Sequence, residues 1–245
     1  MAGEPDALVK SFAVMPELHD PIYGRVKGIR PFEAFASEMS SWLRQHNFSV
    51  EDVGHVVTER HGFEEVTLHF GGQNGRVDLP VAIVADFRSD GRIDELRIYF
   101  SNWPLAGHHA HRPPLLQCDP ELRESDVVGD YQLALAAGDV DAIVAAFEPD
   151  GYAREPAAGR HVHRGRDGLR SFYELMFSNG GGIPLEHCAV IDDGRSCALE
   201  YNVVQWGKTK LPPEAGVAVY VRGQSGKIAA TRIYDDADPP LGLPR

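Results

Sequence analysis

A chain of 245 residues, 43% hydrophobic and 24% charged, has the composition of an ordinary globular protein and room for one or two domains. Its net charge of -12 disfavours nucleic acid and anionic membrane as partners, because both need clustered Lys and Arg. No apolar run approaches the ~20 residues that span a bilayer, the acidic start Met1–Asp6 lacks the regions of a signal peptide, and Cys118, Cys188 and Cys197 form no C-x-x-C pair, which together point to a reducing cytoplasm.

In chain order, the first element is a short helix over Asp6–Val14, or none. Asp20-Pro21 follows, with His19 and Tyr23 close by. Pro31 to about Arg44 predicts a helix that turns Phe32, Phe35, Met39, Trp42 and Leu43 inward. The period then changes to two and predicts strands near 50–58, 63–70, 77–88 and 92–100. Gly107-His108-His109-Ala110-His111-Arg112-Pro113-Pro114 reads as a linker whose histidines are solvated loop residues and not metal ligands, because no second ligand group is placed near them.

Beyond it, Ser125 to Ala137 suits a helix with Val127, Val128, Tyr131 and Leu135 on one face, broken by Gly138. Asp139 caps a second helix with the stripe Val140, Ile143, Val144, Phe147, which Pro149-Asp150-Gly151 ends with turn chemistry. A short strand, Tyr152 to Glu155, stops at Pro156, and Asp167 caps a third helix carrying Leu169, Phe172, Tyr173 and Met176. Strands are expected at about 185–192, 196–206, 215–223 and 227–235, with Gly207 to Pro213 between the second and third.

The chain repeats itself. Lys27-Gly28-Ile29-Arg30-Pro31-Phe32-Glu33-Ala34-Phe35 is echoed by Arg164-Gly165-Arg166-Asp167-Gly168-Leu169-Arg170-Ser171-Phe172 at an offset of 137 residues. Asp90-Gly91-Arg92-Ile93 leading to Arg97-Ile98-Tyr99 is echoed by Ser225-Gly226-Lys227-Ile228 leading to Arg232-Ile233-Tyr234 at an offset of 135. A repeat of this length is a duplicated domain. The expected division is a first domain over 1–107, shortened at its opening helices, a linker over 108–122, and a second domain over 123–245. Helices followed by an antiparallel sheet make each copy α+β.

Residues Tyr131 to Pro156, with Gly138-Asp139-Val140-Asp141-Ala142-Ile143-Val144 inside and Arg154-Glu155-Pro156-Ala157-Ala158-Gly159 at the end, resemble ketosteroid isomerase. The resemblance runs through Gly165 to Tyr173 into the final strand and extends to the SnoaL-like polyketide cyclases of the nuclear transport factor 2-like superfamily. It covers nearly all of 125–236 and, more weakly, 15–103. It implies two tandem cone-shaped domains, each a strongly curved, mainly antiparallel sheet wrapped by helices around an apolar pocket.

In the isomerases a carboxylate just before a Pro shuttles a proton between carbons, while a Tyr on the first helix and a protonated Asp on a later strand donate to the oxyanion. Glu155 stands at the position of that carboxylate and Tyr131 at that of the Tyr; Ala218, and Ile83 in the first copy, stand where the Asp would be. On the last strand Ile228, Ala230, Arg232 and Tyr234 share one face, and Ala229, Thr231, Ile233 and Asp235 the other, which lines the pocket in the family. Glu155 and Asp235 are thus candidate acid and base groups with Tyr131 as donor, and Phe172, Met176, Thr231, Ile233, Asp20 and Tyr23 are candidate substrate-binding residues.

The resemblance implies no cofactor or metal and a small apolar, polycyclic or polyketide-like ligand, with chemistry of the isomerase or cyclase kind. Two other classes stay open: a non-catalytic small-molecule-binding or protein-interaction module, and an epoxide hydrolase-like enzyme, which needs an Arg between two acids. Read without the resemblance, Glu155 is a solvated turn residue and Asp235 part of an acidic rim with Asp236 and Asp238. His161 and His163 alternate before Arg164, and each reads as a pocket acid or a surface residue, with surface the preferred reading. In the first copy Asp20-Pro21 matches Glu155-Pro156, Phe100 replaces Asp235 and no residue matches Tyr131. That copy is either a degenerate packing partner in an intramolecular pseudo-dimer, with Arg97, Tyr99, Arg232 and Tyr234 at the contact, or a second pocket.

Overall fold

The computed structural model describes residues 9–12, 15–72, 75–157 and 161–236. The first half contains β1 (Glu17–Asp20), β2 (Gly24–Lys27), α1 (Ile29–Gln45), β3 (Ser49–Val57), β4 (His61–Gly72), β5 (Gly75–Phe87), β6 (Ile93–Tyr99) and the short α2 (Trp103–Ala106). The second contains α3 (Val127–Ala137), α4 (Val140–Ala146), β7 (Phe147–Arg154), β8 (Val162–Arg164), α5 (Gly165–Met176), β9 (Leu185–Asp192), β10 (Ser196–Trp206), β11 (Thr209–Arg222) and β12 (Ile228–Tyr234).

The two halves share one topology. Their six-stranded sheets run β2-β1-β6-β5-β4-β3 and β8-β7-β12-β11-β10-β9, and neither closes on itself. All neighbouring strands are antiparallel except β1 with β6 and β7 with β12, which occupy the same place in each sheet. These are the two tandem α+β units expected from the duplication.

Local chemistry explains the opening of the second unit. Asp126 caps α3 by accepting from the Val128 N–H at 2.9 Å, and Asp139 caps α4 by accepting from Ala142 at 3.0 Å. Between them Gly138 takes the left-handed φ of 72° that ends α3. The chain then passes close to that helix end: a Cβ on Gly182 would sit 2.2 Å from the Leu135 carbonyl oxygen, so only glycine fits.

Four expectations are corrected. Pro149-Asp150-Gly151 do not form a turn after α4; they lie inside β7 as a bulge, since Phe147 pairs with Ile228 and Tyr152 with Ala230. β11 begins at Thr209, so Gly207 and Lys208 alone turn the chain, and Leu211 to Pro213 fall in the register gap between the pairs Gln205–Lys210 and Val203–Glu214. Helix α5 starts at Gly165, which places Asp167 in its first turn and not at its cap. A further shift between Ile228 and Ala230 puts Ile228 in the core of the second unit. The expected helix Asp6–Val14 falls largely outside the described residues, of which 9–11 are helical.

Each sheet has one face on its own helices. In the second unit Val128, Tyr131, Ile143, Leu169, Tyr173 and Leu199 belong to that core; in the first, Phe12, Leu18, Phe32 and Phe35 pack together. The opposite faces meet across the two units, where Phe63, Val84 and Tyr99 are buried with Ala198, Val217 and Tyr234. Buried ion pairs flank this contact. Arg97 Nε donates to Glu200 Oε1 at 2.7 Å and Arg97 Nη2 to Glu200 Oε2 at 3.0 Å, while the Tyr99 hydroxyl donates to Glu200 at 2.6 Å. In the reverse sense Arg232 Nε donates to Glu65 Oε1 at 2.8 Å and the Tyr234 hydroxyl to the same oxygen at 2.7 Å. A further guanidinium covers each tyrosine ring at 4.4 Å, Arg112 over Tyr99 and Arg154 over Tyr234.

Candidate functional site

The helix-covered side of the second sheet encloses a cavity whose free volume is about 90 Å³. Water needs some 10–15 Å³ on this measure, so the space suits one small ring-bearing molecule. Tyr131, Glu155, Asp235, Phe172, Met176, Thr231 and Ile233 all line it, and so the structure brings seven of the nine sequence-derived site residues together. Strand pairing explains the carboxylates. β7 and β12 run side by side in parallel, with Arg154 opposite Arg232, and Glu155 and Asp235 follow their C-terminal ends at the same rim of the sheet.

Each carboxylate has a partner of its own. Glu155 is 6% exposed, and its Oε1 lies 2.7 Å from His163 Nε2. His163 is held flat against Phe172, with ring centroids 4.1 Å apart. It is therefore not the surface residue that alternation suggested: the β7–β8 pairing sets His163 opposite Ala153, and its ring meets Glu155 and Phe172. Asp235 Oδ2 accepts from the Tyr201 hydroxyl at 2.7 Å.

Phenols crowd the interior. The hydroxyls of Tyr131 and Tyr173 are 2.7 Å apart, and Gln132 Nε2 donates to the hydroxyl of Tyr220. Burial pushes the Tyr131 phenol up to about 12 and those of Tyr173, Tyr201 and Tyr220 well above their ordinary value. All four are therefore protonated at neutral pH and carry a hydroxyl hydrogen to donate. The sequence reading placed Tyr173 on the inward stripe of its helix but assigned no role to it, nor to Tyr201 or Tyr220. The signal was period-two alternation, which puts Leu199, Tyr201 and Val203 on one face, and Ala218 and Tyr220 of the paired strand on that same face.

Two expected residues lie elsewhere. Asp20 is buried in the first unit, where it accepts from the N–H groups of Ile22 at 2.7 Å and Tyr23 at 2.9 Å, and burial raises its pKa. Tyr23 is 45% exposed and packs its ring edge-on to Phe35. Phe100, the counterpart of Asp235, fills space among Val66, Phe70, Leu79 and Val81.

Two of the three linker histidines are tied to carboxylates. His109 Nδ1 lies 2.8 Å from Asp236 and His111 Nδ1 3.0 Å from Glu214. Two groups among the described residues have ligand atoms close enough for a cation: Glu17, His19 and Glu95, and Glu124, Asp192 and Cys197. In the first, Arg25 and Lys27 already hold Glu17; in the second, Arg222 holds Asp192. Arg154 borders the cavity, but its guanidinium stacks on Tyr234, whose hydroxyl faces Glu65 of the other unit, and so does not stand between the two acids.

The model of the SnoaL-like domain family matches residues 128–231, so the second unit is a SnoaL-like domain. A search of curated proteins gives no match. Among solved structures, a putative polyketide cyclase from Sinorhizobium meliloti is 20% identical and covers 44% of this chain and 92% of its own, with a TM-score of 0.37. An epoxide hydrolase/cyclase-like enzyme of pyran ring formation in the polyether salinomycin is 23% identical over 45% of this chain and 88% of its own, with a TM-score of 0.39. A nuclear transport factor 2-like protein of unknown function from Burkholderia xenovorans is 24% identical over 48% of this chain and 84% of its own, with a TM-score of 0.36. No helix among the described residues is long and apolar enough to cross a membrane.

Proposed function

We propose that the second domain is a cofactor-independent isomerase or cyclase acting on a small polycyclic or polyketide-like ketone. The observation that carries this reading is the meeting of two carboxylates with protonated phenols in one aromatic cavity. Glu155 takes a proton from a carbon beside the substrate carbonyl. As the C–H bond breaks, its electrons pass into an enolate, whose oxygen accepts a hydrogen bond from the Tyr131–Tyr173 pair. The proton returns to another carbon in an isomerisation; in a ring closure the enolate carbon attacks a second carbonyl, whose π electrons pass to its oxygen, and that oxygen takes up the proton. His163 orients the Glu155 carboxylate, and Asp235, held by Tyr201, is the second acid or base. Phe172, Met176 and Ile233 supply the apolar walls, and the polar Thr231 lies among them.

The first domain is the packing partner in this proposal. Its Asp20 is occupied by backbone N–H groups, and its sheet covers the back of the catalytic sheet. The fused pair thereby forms an intramolecular pseudo-dimer.

The test is exchange of the α-protons of a panel of small cyclic ketones for deuterium, followed by proton NMR. Glu155→Gln should slow exchange by about 10²–10⁴-fold, the usual weight of a general base. Exchange at the wild-type rate in that variant would remove Glu155 from the mechanism. Ligand binding with no exchange in either protein would leave a carrier and not an enzyme.

A further inference from the structure

The cavity holds a phenol hydrogen that the mechanism above does not use. The Tyr201 hydroxyl gives its hydrogen to Asp235, and the Tyr131 and Tyr173 hydroxyls share one bond between them. Tyr220 differs. Its oxygen accepts from Gln132 Nε2, and its own hydrogen meets no acceptor among the described residues. The side chain is 0% exposed and lines the cavity, so the open direction leads into the ligand space. A buried donor without an acceptor is costly to leave that way.

What fixes this direction lies outside the cavity. Gln132 follows Tyr131 on α3 and is buried. Its Oε1 faces His187 Nε2 at 3.3 Å, and His187 Nδ1 faces the Leu122 carbonyl oxygen at 3.3 Å. The imidazolium donates from both ring nitrogens, to the Leu122 carbonyl and to the amide oxygen; in the neutral ring the observed amide orientation requires the hydrogen on Nε2. The amide nitrogen is then forced toward Tyr220. A turned amide would set its NH2 against the His187 N–H and its oxygen against the phenol, drawing the Tyr220 hydrogen out of the cavity.

We propose that Tyr220 is a directed hydrogen-bond donor of the cavity, with Gln132 and His187 as the positioning residues that keep its hydrogen pointed at the ligand. The cavity accordingly takes a molecule that presents a carbonyl or anionic oxygen to the side where the Tyr131 and Tyr220 rings lie 5.4 Å apart. This deepens the proposed function and rests on it for the ligand's place, yet it concerns binding and needs no turnover. Tyr220 lies two residues along β11 from Ala218, the position whose small side chain offers no donor.

The experiment compares two probes of one shape, 2-naphthol and naphthalene, by fluorescence titration above the pKa of free naphthol. Wild-type protein should prefer the naphtholate. Tyr220→Phe should weaken naphtholate by about 10–100-fold, the range for a hydrogen bond to a charged group, and leave naphthalene within about threefold. Gln132→Glu tests the direction. A carboxylate only accepts, so it takes the Tyr220 hydrogen and should reproduce the same selective loss while preserving the phenol.

Should the buried Glu fail to fold, proton NMR of the wild-type naphtholate complex supplies the second reading, as a strongly downfield hydroxyl resonance absent from Tyr220→Phe. An unchanged naphtholate-to-naphthalene ratio in Tyr220→Phe overturns the proposal, as does a wild-type protein that does not prefer the anion. Neither result bears on Glu155, whose assay is deuterium exchange.

Discussion

Glu65→Gln is the most informative perturbation of the contact between the two units. Glu65 is 1% exposed and receives Arg232 Nε at 2.8 Å, Arg232 Nη2, and the Tyr234 hydroxyl at 2.7 Å. The neutral amide keeps the shape but removes the charge. It leaves Arg232 buried beside Arg154, a second guanidinium that has no hydrogen-bond partner among the described residues. Breaking one half of a buried pair costs about 3–5 kcal/mol. At ~2–4 °C per kcal/mol for a chain of this size, the melting temperature should fall by roughly 6–20 °C. Glu200→Gln should cost less, because Arg97 keeps Asp86 at 2.6 Å and Glu95 at 3.0 Å. Thermal and urea unfolding followed by circular dichroism measure both. A loss below about 1 kcal/mol in Glu65→Gln, or a larger loss in Glu200→Gln, would refute the reasoning.

Two further outcomes follow from single contacts. The Glu17 carboxyl is held at about 2, down from its ordinary 4.5, first by the hydrogen bond from Arg25 and then by Lys27. Its folded pKa is depressed, so the stability it contributes is present above about pH 4.5 and is lost as pH falls toward 2; Glu17→Gln should flatten acid unfolding in that window. His163→Phe keeps an aromatic ring against Phe172 and deletes the contact with Glu155. The deuterium-exchange rate should drop about tenfold and its pH profile move, while the melting temperature falls by roughly 3–12 °C, since a hydrogen bond to a charged group is worth about 1.5–3 kcal/mol.

Much of the fold was written in periodicity. The stripes of Phe32, Phe35 and Met39 and of Leu169, Phe172 and Met176 mark helices that bury one side, and both lie where expected. Turn chemistry was less informative, because the same residues serve a turn and a bulge. Pro149-Asp150-Gly151 relieves strand geometry inside β7, and only the partner strand β12 distinguishes that from a helix stop. Pro212 and Pro213 are tolerated within β11 because they face no ladder partner, which the sequence does not record. At the site, Glu155, Tyr131 and Asp235 were legible through resemblance. His163 and Tyr220 were not, since their roles depend on which face the sheet turns inward and on hydrogen bonds made across it.

The two copies diverged unevenly, and energetics accounts for the pattern. Glu65 and Glu200, Arg97 and Arg232, and Tyr99 and Tyr234 each stand 135 residues apart and make the same contact in exchange. Glu65 or Arg232 changed alone leaves a buried charge without its ion-pair partner, a loss comparable to a large share of a domain's net stability. The cavity positions carry no such constraint. Asp20 and Glu155 still correspond, but Phe100 stands against Asp235 at the same offset, and the first copy has nothing to match Tyr131. A carboxylate facing an apolar space can be replaced by a phenyl ring that strands only a neutral partner, the Tyr201 hydroxyl in the case of Asp235, and burying that ring adds stability. The shared interface therefore resists single changes, whereas a cavity is readily filled. Tyr131, Glu155 and Asp235 in the second unit all border space that the protein leaves empty, where a phenyl ring would bury more apolar surface. That open space, set against the filled counterpart around Phe100, is the physical reason for placing the chemistry in the second copy.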